Sequence, residues 1–429
     1  MQRRNSDFDF QQFKTETFRP TQVTFRIMRI LYISSYYKPA YIYGGPARSI
    51  AAMCEALTRE GAQVTVLTTN ANGGTPLDVP LEQPVNVDGV MVYYYPLEKG
   101  LPRSFFYSPA LARACENMIR EYDIVVLETF FTHPTGAAVK ACRQWGKPYI
   151  IPQRGQLLPW ALKQKALKKQ VYMALMGRSY LNHAAGLLCS DAEELEAVQQ
   201  LNFKAPAFVV PNGLDTAQWQ NLPPRGALRR QYAIPENAPL LLMLGRLHRV
   251  KNPDLAVEML GLLERQDVHL VFAGPDEEKY QPRLQARASA LGCSKRVHFT
   301  GLVSGASLFQ VMADADLFLM PSLMESFGMA AVEAMACGLP VLLSEHVPVG
   351  RWVDAAGAGR QVPCTVDAFA YACNELLKDE AALQKMGRQA RRLVYQRFDS
   401  SAVARQMLAH CRAILSQGKP LSEWQIAEA

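Results

Sequence analysis

Two glutamates stand out in the apolar stretch SLMESFGMAAVEAMACGLPVLLS, residues 322–344. A carboxylate on an apolar surface is costly unless a ligand or a buried partner binds it. The preceding run DLFLMPS predicts a strand, so Glu325 falls in a loop and a helix begins near Phe327. Glu333 then lies roughly 9 Å further along the helix axis, at about 1.5 Å per residue. The two carboxylates can bind two hydroxyl-bearing parts of one extended ligand, with the backbone N–H groups of Phe327 and Gly328 between them; the alternative is a solvent-facing Glu333.

Two cations follow another predicted strand, in LLLMLGRLHRVKN. Gly245 ends that strand, and Arg246 and Lys251 follow in the loop and at a helix start. Fixed cations suit a diphosphate, and an arginine can bind two of its oxygens at once. Surface charges without a ligand are the alternative. Together with the two glutamates, these cations predict a ligand with a negative centre and a polyol at each end, such as ribose, diphosphate and sugar.

A glycine pair precedes a predicted helix in YIYGGPARS. Gly44 and Gly45 allow a ligand to approach the backbone closely, and the helix start offers free N–H groups to anionic oxygens. The same pattern also occurs in ordinary turns, so it indicates a phosphate site only in combination with the cations.

No metal site is predicted. Histidine is sparse, no HExxH motif occurs, and the sequence DAD at 314–316 precedes a strand, which indicates a helix end rather than a metal-binding DxD. The nine cysteines form no CxxC pair and are interpreted as reduced, mostly buried thiols of a cytosolic protein. No apolar run approaches the roughly 18–20 residues of a membrane span. No secretory signal is recognised.

The elements that must position these residues are short apolar strands alternating with helices. This alternation predicts an α/β fold with parallel sheets covered on both faces. It restarts after the Pro-rich stretch at 221–239, and 429 residues are too many for one ordinary core, so two domains are expected. Such a pair of domains holds its ligand in the cleft between them, at the carboxyl ends of the strands.

We expect four segments along the chain. Residues 1–27 are polar and irregular and are interpreted as a flexible tail or a start-site artefact. Residues 28–215 form an N-terminal domain and residues 216–400 a C-terminal domain. Residues 401–429 contain the final helix and a tail.

A basic segment lies in the N-terminal half. No Asp or Glu occurs from Thr129 to Ser190, and nine Lys and Arg residues do. Within it, residues 157–180 alternate apolar and cationic residues with helical spacing, beginning near Trp160, as in helices that lie on anionic membranes. The alternative is a soluble helix whose cations face water. Nucleic-acid binding is not expected, because the cations lack interleaved aromatic residues or a recognition motif.

Taken together, these motifs resemble the GT-B glycosyltransferases of family 4, retaining enzymes that use nucleotide sugars. The motifs are the Gly-Gly loop, VVPNGLD, LGRLHRVKN, FAGPDEEKY, E-S-F-G-x4-E and EAMACGLPVL. The resemblance covers the chain from Met28 to the last helix. It implies two Rossmann-like, doubly wound domains facing a cleft, with a C-terminal helix that crosses back to the N-terminal domain. Residues 28–215 would then bind the acceptor, and residues 216–400 the nucleotide sugar.

The resemblance also implies roles for the diphosphate-binding residues. Gly44 and Gly45 would lie beneath the donor phosphates, and Arg246 and Lys251 would neutralise the leaving diphosphate. Cations that meet charge as it develops lower the barrier. No metal ion or other cofactor is then expected.

The same resemblance places the acidic residues on the two ends of the donor. Glu325, with the backbone of Phe327 and Gly328, would hold the transferred sugar. Glu333 would hold the ribose diol. Arg246, Lys251 and Glu325 are the residues expected to carry the chemistry.

One departure from the family concerns the acceptor side. Many relatives carry a histidine or an HxH after the strand YDIVV, where this chain has Val126 and Glu128. Glu128, the nearby His133, and Arg154 in IPQRG are the acceptor-side candidates. No general base is assigned, because in retaining chemistry the leaving phosphate can take the acceptor's proton.

The expected function is a retaining, metal-independent glycosyltransferase that moves a hexose-type sugar from a nucleotide-diphosphate donor to a glycan or lipid-linked glycan. We expect a cytoplasmic protein in polysaccharide or lipopolysaccharide biosynthesis, at the inner face of the cytoplasmic membrane. A nucleotide-sugar epimerase on the same fold is one alternative, although no acid/base set for it is evident. A non-catalytic nucleotide-sugar-binding protein is the other.

Overall fold

The computed structural model describes residues 26–98, 100–163, 166–276 and 278–422. Residues 1–25 of the predicted tail, Lys165 and residues 423–429 therefore lie outside the described part, and so does the side chain of Trp160. The described chain forms two sheets, each covered by helices, as the α/β prediction requires.

The N-terminal sheet has eight strands in the order β3-β4-β2-β1-β5-β6-β7-β8. All neighbours are parallel except β3 and β4. The strands are β1 (Arg29–Ile33), β2 (Gln63–Thr69), β3 (Pro84–Val87), β4 (Val90–Tyr95), β5 (Ile124–Leu127), β6 (Tyr149–Pro152), β7 (Gly186–Cys189) and β8 (Ala207–Val209). The helices of this half are α1 (Gly45–Arg59), α2 (Pro109–Met118), α3 (His133–Gln144), α4 (Pro159–Lys163), α5 (Ala166–Tyr172), α6 (Arg178–Asn182) and α7 (Ala192–Gln200).

The second sheet has six parallel strands in the order β11-β10-β9-β12-β13-β14. The strands are β9 (Leu240–Leu244), β10 (His269–Ala273), β11 (Val297–Gly301), β12 (Leu317–Met320), β13 (Val341–Ser344) and β14 (Gly359–Val362). The helices are α8 (Ala227–Gln231), α9 (Pro253–Leu262), α10 (Gln281–Ala290), α11 (Ala306–Asp314), α12 (Met329–Ala336), α13 (Gly350–Ala356), α14 (Val366–Leu377) and α15 (Glu380–Leu393).

The central strands are continuous apolar runs because helices cover both of their faces. In β1, Ile30 and Tyr32 pack into one core cluster, and Leu31 and Ile33 pack into the cluster on the opposite face. The strand β9 divides its side chains between two clusters in the same way.

The chain passes between the two halves twice, and the two crossing segments are hydrogen-bonded to each other. Leu214 N donates to Phe398 O at 2.8 Å, and Ser400 N donates to Leu214 O at 2.9 Å. The last helix, α16 (Ser400–Gln417), then packs Val403 and Met407 into the core of the N-terminal half. The predicted helix that crosses back to the N-terminal domain is therefore confirmed.

Each sheet reverses its strand order next to its first strand. The reversal falls at β1, between β2 and β5, in the N-terminal sheet, and at β9, between β10 and β12, in the second sheet. Ligands of such sheets bind outside the carboxyl ends of the strands at this reversal. The predicted site residues follow these strands.

Candidate active site

An ion pair joins the loops that follow β9 and β12. Lys251 Nζ lies 2.5 Å from Glu325 Oε1, which also accepts a hydrogen bond from Ser322 Oγ at 2.7 Å. Lys251 ends a short 3-10 turn that His248 caps by accepting from Val250 N through Nδ1. The structure thus brings two sequence-predicted residues into direct contact at the strand-order reversal.

Gly245 and Arg246 lie beside this pair. A Cβ added to Gly245 would be 3.6 Å from the Cε atom of Lys251, so the lysine side chain passes over the glycine. Arg246 directly follows Gly245 and is exposed, while Leu247 next to it is buried. The loop after β9 therefore presents Arg246 to solvent and Lys251 to the carboxylate.

The helix α12 begins at Met329, two residues after Phe327. Gly328, the residue before the helix, has a φ of +102°. This left-handed conformation is not helical, so α12 begins after it. The Phe327 side chain is fully buried against Trp352 and Phe398. Phe327 can therefore offer a ligand only its backbone.

Glu333 lies inside α12 and is partly buried. Burial raises the pKa of Glu333 from its usual value to about 7, and the positive charge of Arg48 opposes the rise. Arg48 belongs to α1, whose first residues follow Gly44. The start of α1 is thus near enough to Glu333 for the charge of Arg48 to act on it.

The glycine pair itself leaves open space. Gly44 has a φ of +72°, and no atom lies within 4 Å of a Cβ added to Gly44 or Gly45. Gly45 is the first residue of the 15-residue helix α1. Room for a ligand therefore exists at a helix start, which is the arrangement that favours an anion.

Glu128 and Arg154 form a second, buried ion pair at the carboxyl ends of β5 and β6. Arg154 Nε lies 2.6 Å from Glu128 Oε2, and Nη2 lies 2.7 Å from Oε1. Nη1 donates to Ser49 Oγ at 3.2 Å and to Asn212 Oδ1 at 3.0 Å. Burial alone would lower the pKa of the Arg154 guanidinium, but Glu128 raises it above the usual range.

The backbone at this second pair is strained. Arg154 has a φ of +44° and Thr129 a φ of +58°. Such left-handed conformations of non-glycine residues cost about 1–3 kcal/mol and persist where the surroundings enforce them. Such conformations cluster at active sites, so the ends of β5 and β6 are candidate positions of the site.

His133 lies apart from this pair. It opens α3, accepts from Ser108 N through Nδ1 at 3.3 Å and packs against Phe105 and Tyr107. Burial lowers its pKa, which favours the neutral imidazole. No hydrogen bond joins His133 to Glu128 or Arg154 within the described chain.

The sequence DAD at 314–316 binds protein groups. Asp314 accepts from the backbone N–H groups of Gly226 and Leu228, the latter at 2.8 Å. Asp316 Oδ2 accepts from Arg229 Nη2 and from Leu240 N, both at 2.8 Å. Among the residues that the structure describes, no group of three or more His, Cys, Asp or Glu side chains is arranged to hold a metal ion.

The basic segment exposes an apolar stripe. Leu167, Val171 and Leu175 are spaced four residues apart and are 75%, 50% and 74% exposed. Lys163 and Lys168 are exposed beside them. No helix in the described ranges is long and apolar enough to span a membrane.

Two protein families match the chain. Residues 44–213 match the glycosyl transferase 4-like domain, and residues 224–393 match the glycosyl transferases group 1. The chain is a GT-B glycosyltransferase of family 4. The family resemblance inferred from the motifs and the two-domain fold are therefore confirmed.

Relatives and solved structures agree with this assignment. An uncharacterized glycosyltransferase of Methanocaldococcus jannaschii is 25% identical over 88% of this chain and 96% of its own length. The crystal structure of Anabaena HepE with UDP and glucose superposes with a TM-score of 0.68 at 22% identity, covering 89% of this chain and 98% of HepE. WaaG, a glycosyltransferase involved in lipopolysaccharide biosynthesis, gives 0.64 at 18% identity, covering 91% of this chain and all of WaaG. At these identities the two structures show the shared fold.

The sequence did not predict Ser49 and Asn212 as hydrogen-bond partners of Arg154. Asn212 lies in VVPNGLD, which by itself indicates only a turn, and Ser49 lies in the first turns of α1. The available signal was position, because Glu128, Arg154 and Asn212 each follow a strand of the same sheet.

Proposed function

We propose that this glycosyltransferase is retaining and metal-independent and moves a hexose-type sugar from a nucleotide-diphosphate sugar to a glycan or lipid-linked glycan acceptor. We place it in polysaccharide or lipopolysaccharide assembly at the cytoplasmic face of the membrane. The observation that carries the proposal is the Lys251–Glu325 pair, held at the strand-order reversal beside Arg246.

The pair prepares both groups for the donor. Without ligand, each charge partly satisfies the other, so neither is left unpaired in the cleft. The donor diphosphate attracts Lys251 and Arg246, and Glu325 becomes free to accept hydrogen bonds from sugar hydroxyls. The Gly44–Gly45 backbone and the start of α1 cover the phosphates from the other side, and Glu333 accepts from the ribose diol.

The chemistry exchanges one bond for another at the sugar's anomeric carbon. The bond to the diphosphate oxygen breaks as the bond to the acceptor oxygen forms on the same face, and the acceptor's proton passes to the leaving phosphate. Negative charge grows on the diphosphate during this step, and two fixed cations stabilise it without a metal ion.

Arg154 is the favoured acceptor-side residue. Its carboxylate partner Glu128 is fully buried and both of its oxygens are bound, so Glu128 acts through the arginine. The Arg154 side chain is partly exposed. His133 stays a prediction for the acceptor side.

A transfer assay tests the proposal. HepE was crystallised with UDP and glucose, which makes UDP-glucose the first donor to assay, with and without EDTA. Lys251→Met should lower transfer about 10²–10³-fold, because it removes a charge that meets the leaving group. Lys378→Met, at an exposed lysine on α14's end, is the matched control and should leave transfer unchanged.

Three outcomes would overturn the proposal. Full transfer by Lys251→Met would remove the diphosphate site, and abolition by EDTA would remove metal independence. A product of inverted anomeric configuration, seen by NMR, would remove the retaining mechanism. A new sugar isomer formed from donor alone would favour the epimerase alternative, and donor binding without turnover would favour the binding protein.

We also propose that residues 157–180 contact an anionic membrane surface. The stripe of Leu167, Val171 and Leu175 with cations beside it matches the face of an interfacial helix. The Leu167→Glu, Leu175→Glu double variant should lose sedimentation with phosphatidylglycerol vesicles. Leu302→Glu, at a leucine that is also 74% exposed, should keep it. Wild-type protein that stays in the supernatant at low salt would end this part of the proposal.

A further inference from the structure

The N-terminal half touches the loop that carries Glu325 at one defined place. A Cβ added to Gly155, which follows Arg154, would be 3.8 Å from the Cβ of Ser326. Ser190 Oγ lies 3.4 Å from Ser326 O on the same side. Ser326 is the neighbour of Glu325, so these contacts join the acceptor-side turn to the donor-side loop.

Glu194 fixes both of the N-terminal groups that make this contact. Its Oε1 accepts from Gly155 N, and its Oε2 accepts from Ser190 N at 2.7 Å and from Ser190 Oγ at 3.0 Å. The side chain is buried on the first turn of α7, where Asp191 Oδ1 in turn accepts from Glu194 N at 2.9 Å. One carboxylate thus ties the end of β6 to the end of β7.

The hydrogen bond from Gly155 N to Glu194 fixes the backbone directly after Arg154. Arg154 has a φ of +44° and Gly155 a φ of +74°, so the chain makes two left-handed steps in succession. An arginine holds this conformation only where its surroundings compensate a cost of about 1–3 kcal/mol. The Glu194–Gly155 bond follows the first step immediately, and the Arg154 side chain then reaches Glu128 in two parallel hydrogen bonds.

We propose that Glu194 is a positioning residue of the transfer reaction: it holds the Arg154–Gly155 turn against Ser326, and thereby aligns Arg154 on the acceptor side with Glu325 on the donor side. This inference rests on the proposed function. Glu194 contacts no reacting atom in this arrangement and acts through Arg154.

A purely structural role is the competing explanation, because Glu194 also closes the first turn of α7. That role predicts lower thermal stability with normal kcat once the protein is folded. The positioning role predicts lower kcat at temperatures where the variant is fully folded, with a donor KM close to wild type, because the Lys251–Glu325 side of the site is untouched.

The experiment combines Glu194→Gln with Arg154→Ala in a double-mutant cycle. A glutamine has an NH2 group in place of one carboxylate oxygen. That group cannot accept a hydrogen bond, so the connection either to Gly155 or to Ser190 is lost. We expect kcat to fall about 10–100-fold in Glu194→Gln, as for a small misplacement of a site group. In the Arg154→Ala background the same change should cost less than about threefold, because residues that act as a unit are not additive. Glu196→Gln, exposed on the same helix, is the matched control.

A second readout does not depend on transfer. The Nε–H NMR signal of Arg154, assigned by its loss in Arg154→Lys, should exchange slowly in wild type and in Glu196→Gln but rapidly in Glu194→Gln. If Glu194→Gln does not fold, Ser190→Ala serves instead, because it removes a hydroxyl that donates to Glu194 Oε2 and lies 3.4 Å from Ser326 O, and it should lower kcat several-fold.

Additive losses in the cycle, a normal kcat in folded Glu194→Gln, or an unchanged Arg154 signal would each overturn the inference. Wild-type protein without any transfer would overturn the proposed function alone, and the NMR comparison would still decide whether Glu194 positions Arg154.

Discussion

Glu333 is an acid for which the protein makes ionisation costly. Burial raises its pKa to about 7, so near neutral pH it is divided between its two forms. Ribose hydroxyls donate to the ionised form and favour it. Donor binding should therefore strengthen as the pH rises through about 7. We expect the donor KM to fall, by up to about tenfold between pH 6 and pH 8, since one pKa unit corresponds to a factor of ten.

The dependence should disappear in Glu333→Gln, whose donor KM should be raised and flat over the same range. Glu375→Gln, at an exposed glutamate of α14, should keep the wild-type slope. Initial-rate measurements at saturating acceptor give both values. A Glu333→Gln enzyme with the wild-type pH slope would contradict the assignment of Glu333 to the donor.

Single residues show where sequence reasoning ends. Glu325 and Lys251 were predicted because each follows a strand, and strand ends meet at one edge of a parallel sheet. Their direct pairing was not predicted, since 74 positions separate them. Glu128 was predicted to face the acceptor, but the structure buries it under Arg154. In a segment with nine cations, the sequence cannot tell which one becomes the partner.

Among the elements, α11 and the sequence DAD at its end have a structural function. Asp314→Ala should leave the N–H groups of Gly226 and Leu228 without their carboxylate. Each buried donor left unpaired costs about 1–3 kcal/mol, so we expect a loss of about 2–4 kcal/mol in the free energy of unfolding. Denaturant melts measure this loss, with exposed Asp78→Ala as the control. Transfer per folded molecule should be unchanged, and a loss of activity without a loss of stability would indicate a metal ligand after all.

The helix α16 contains a histidine whose burial is costly. His410 is fully buried against Phe208, and neither ring nitrogen has a hydrogen-bond partner within the described residues. Burial lowers its pKa to about 4. The unfolded chain, with a pKa near 6.5, then binds a proton that the folded chain does not, so stability falls as the pH drops from about 6.5 toward 4.

His410→Leu should remove that sensitivity. At pH 7 we expect a Tm equal to or above wild type, because an unpaired buried polar group is lost. Between pH 7 and pH 5 the variant should lose about 2 kcal/mol less stability than wild type. His346→Leu, at an exposed histidine, should behave as wild type does. Equal acid sensitivity in both variants would show that His410 is not the group responsible.

The elements that sequence reasoning missed lie at sheet edges or beside a special glycine. The antiparallel hairpin of β3 and β4 turns at Asp88–Gly89, with φ values of +51° and +87°. Asp-Gly between alternating apolar residues is a strong hairpin signal, so it could have been found. The edge strand β14 is short and contains polar residues, and its pairing with β13 depends on the assembled sheet.

At the scale of the whole molecule, two separate sheets are in contact at two places. The motifs predicted both sheets and the returning helix, because each strand and helix has its own local pattern. The contacts that set the sheets against each other, at Leu214 with Ser400 and at Gly155 with Ser326, involve backbone atoms and small side chains that follow no sequence pattern. Their pairing comes from the assembled fold, which is why sequence reasoning did not reach it.

Because α16 packs into the core of the N-terminal half, we expect that half not to fold without this helix. A chain ending at Asp399 loses six buried apolar side chains from the N-terminal core, of which the four largest are Val403, Met407, Leu408 and Ile414. Burial of each of these four side chains contributes about 1.5–3 kcal/mol to the free energy of unfolding. Their combined loss is comparable to the whole stability of a typical domain, about 5–15 kcal/mol. Two hydrogen bonds of 3.0 Å are also lost: the one that Arg59 Nη2 donates to Ser400 Oγ, and the one that Glu60 Oε1 accepts from Arg405 Nη1. For the chain ending at Asp399 we expect insoluble protein, or a thermal melt that lacks the transition of the N-terminal half. A chain ending at Pro420 keeps α16 and should melt as the full chain does. A soluble Asp399 truncation with the wild-type Tm would show that α16 does not stabilise the N-terminal half.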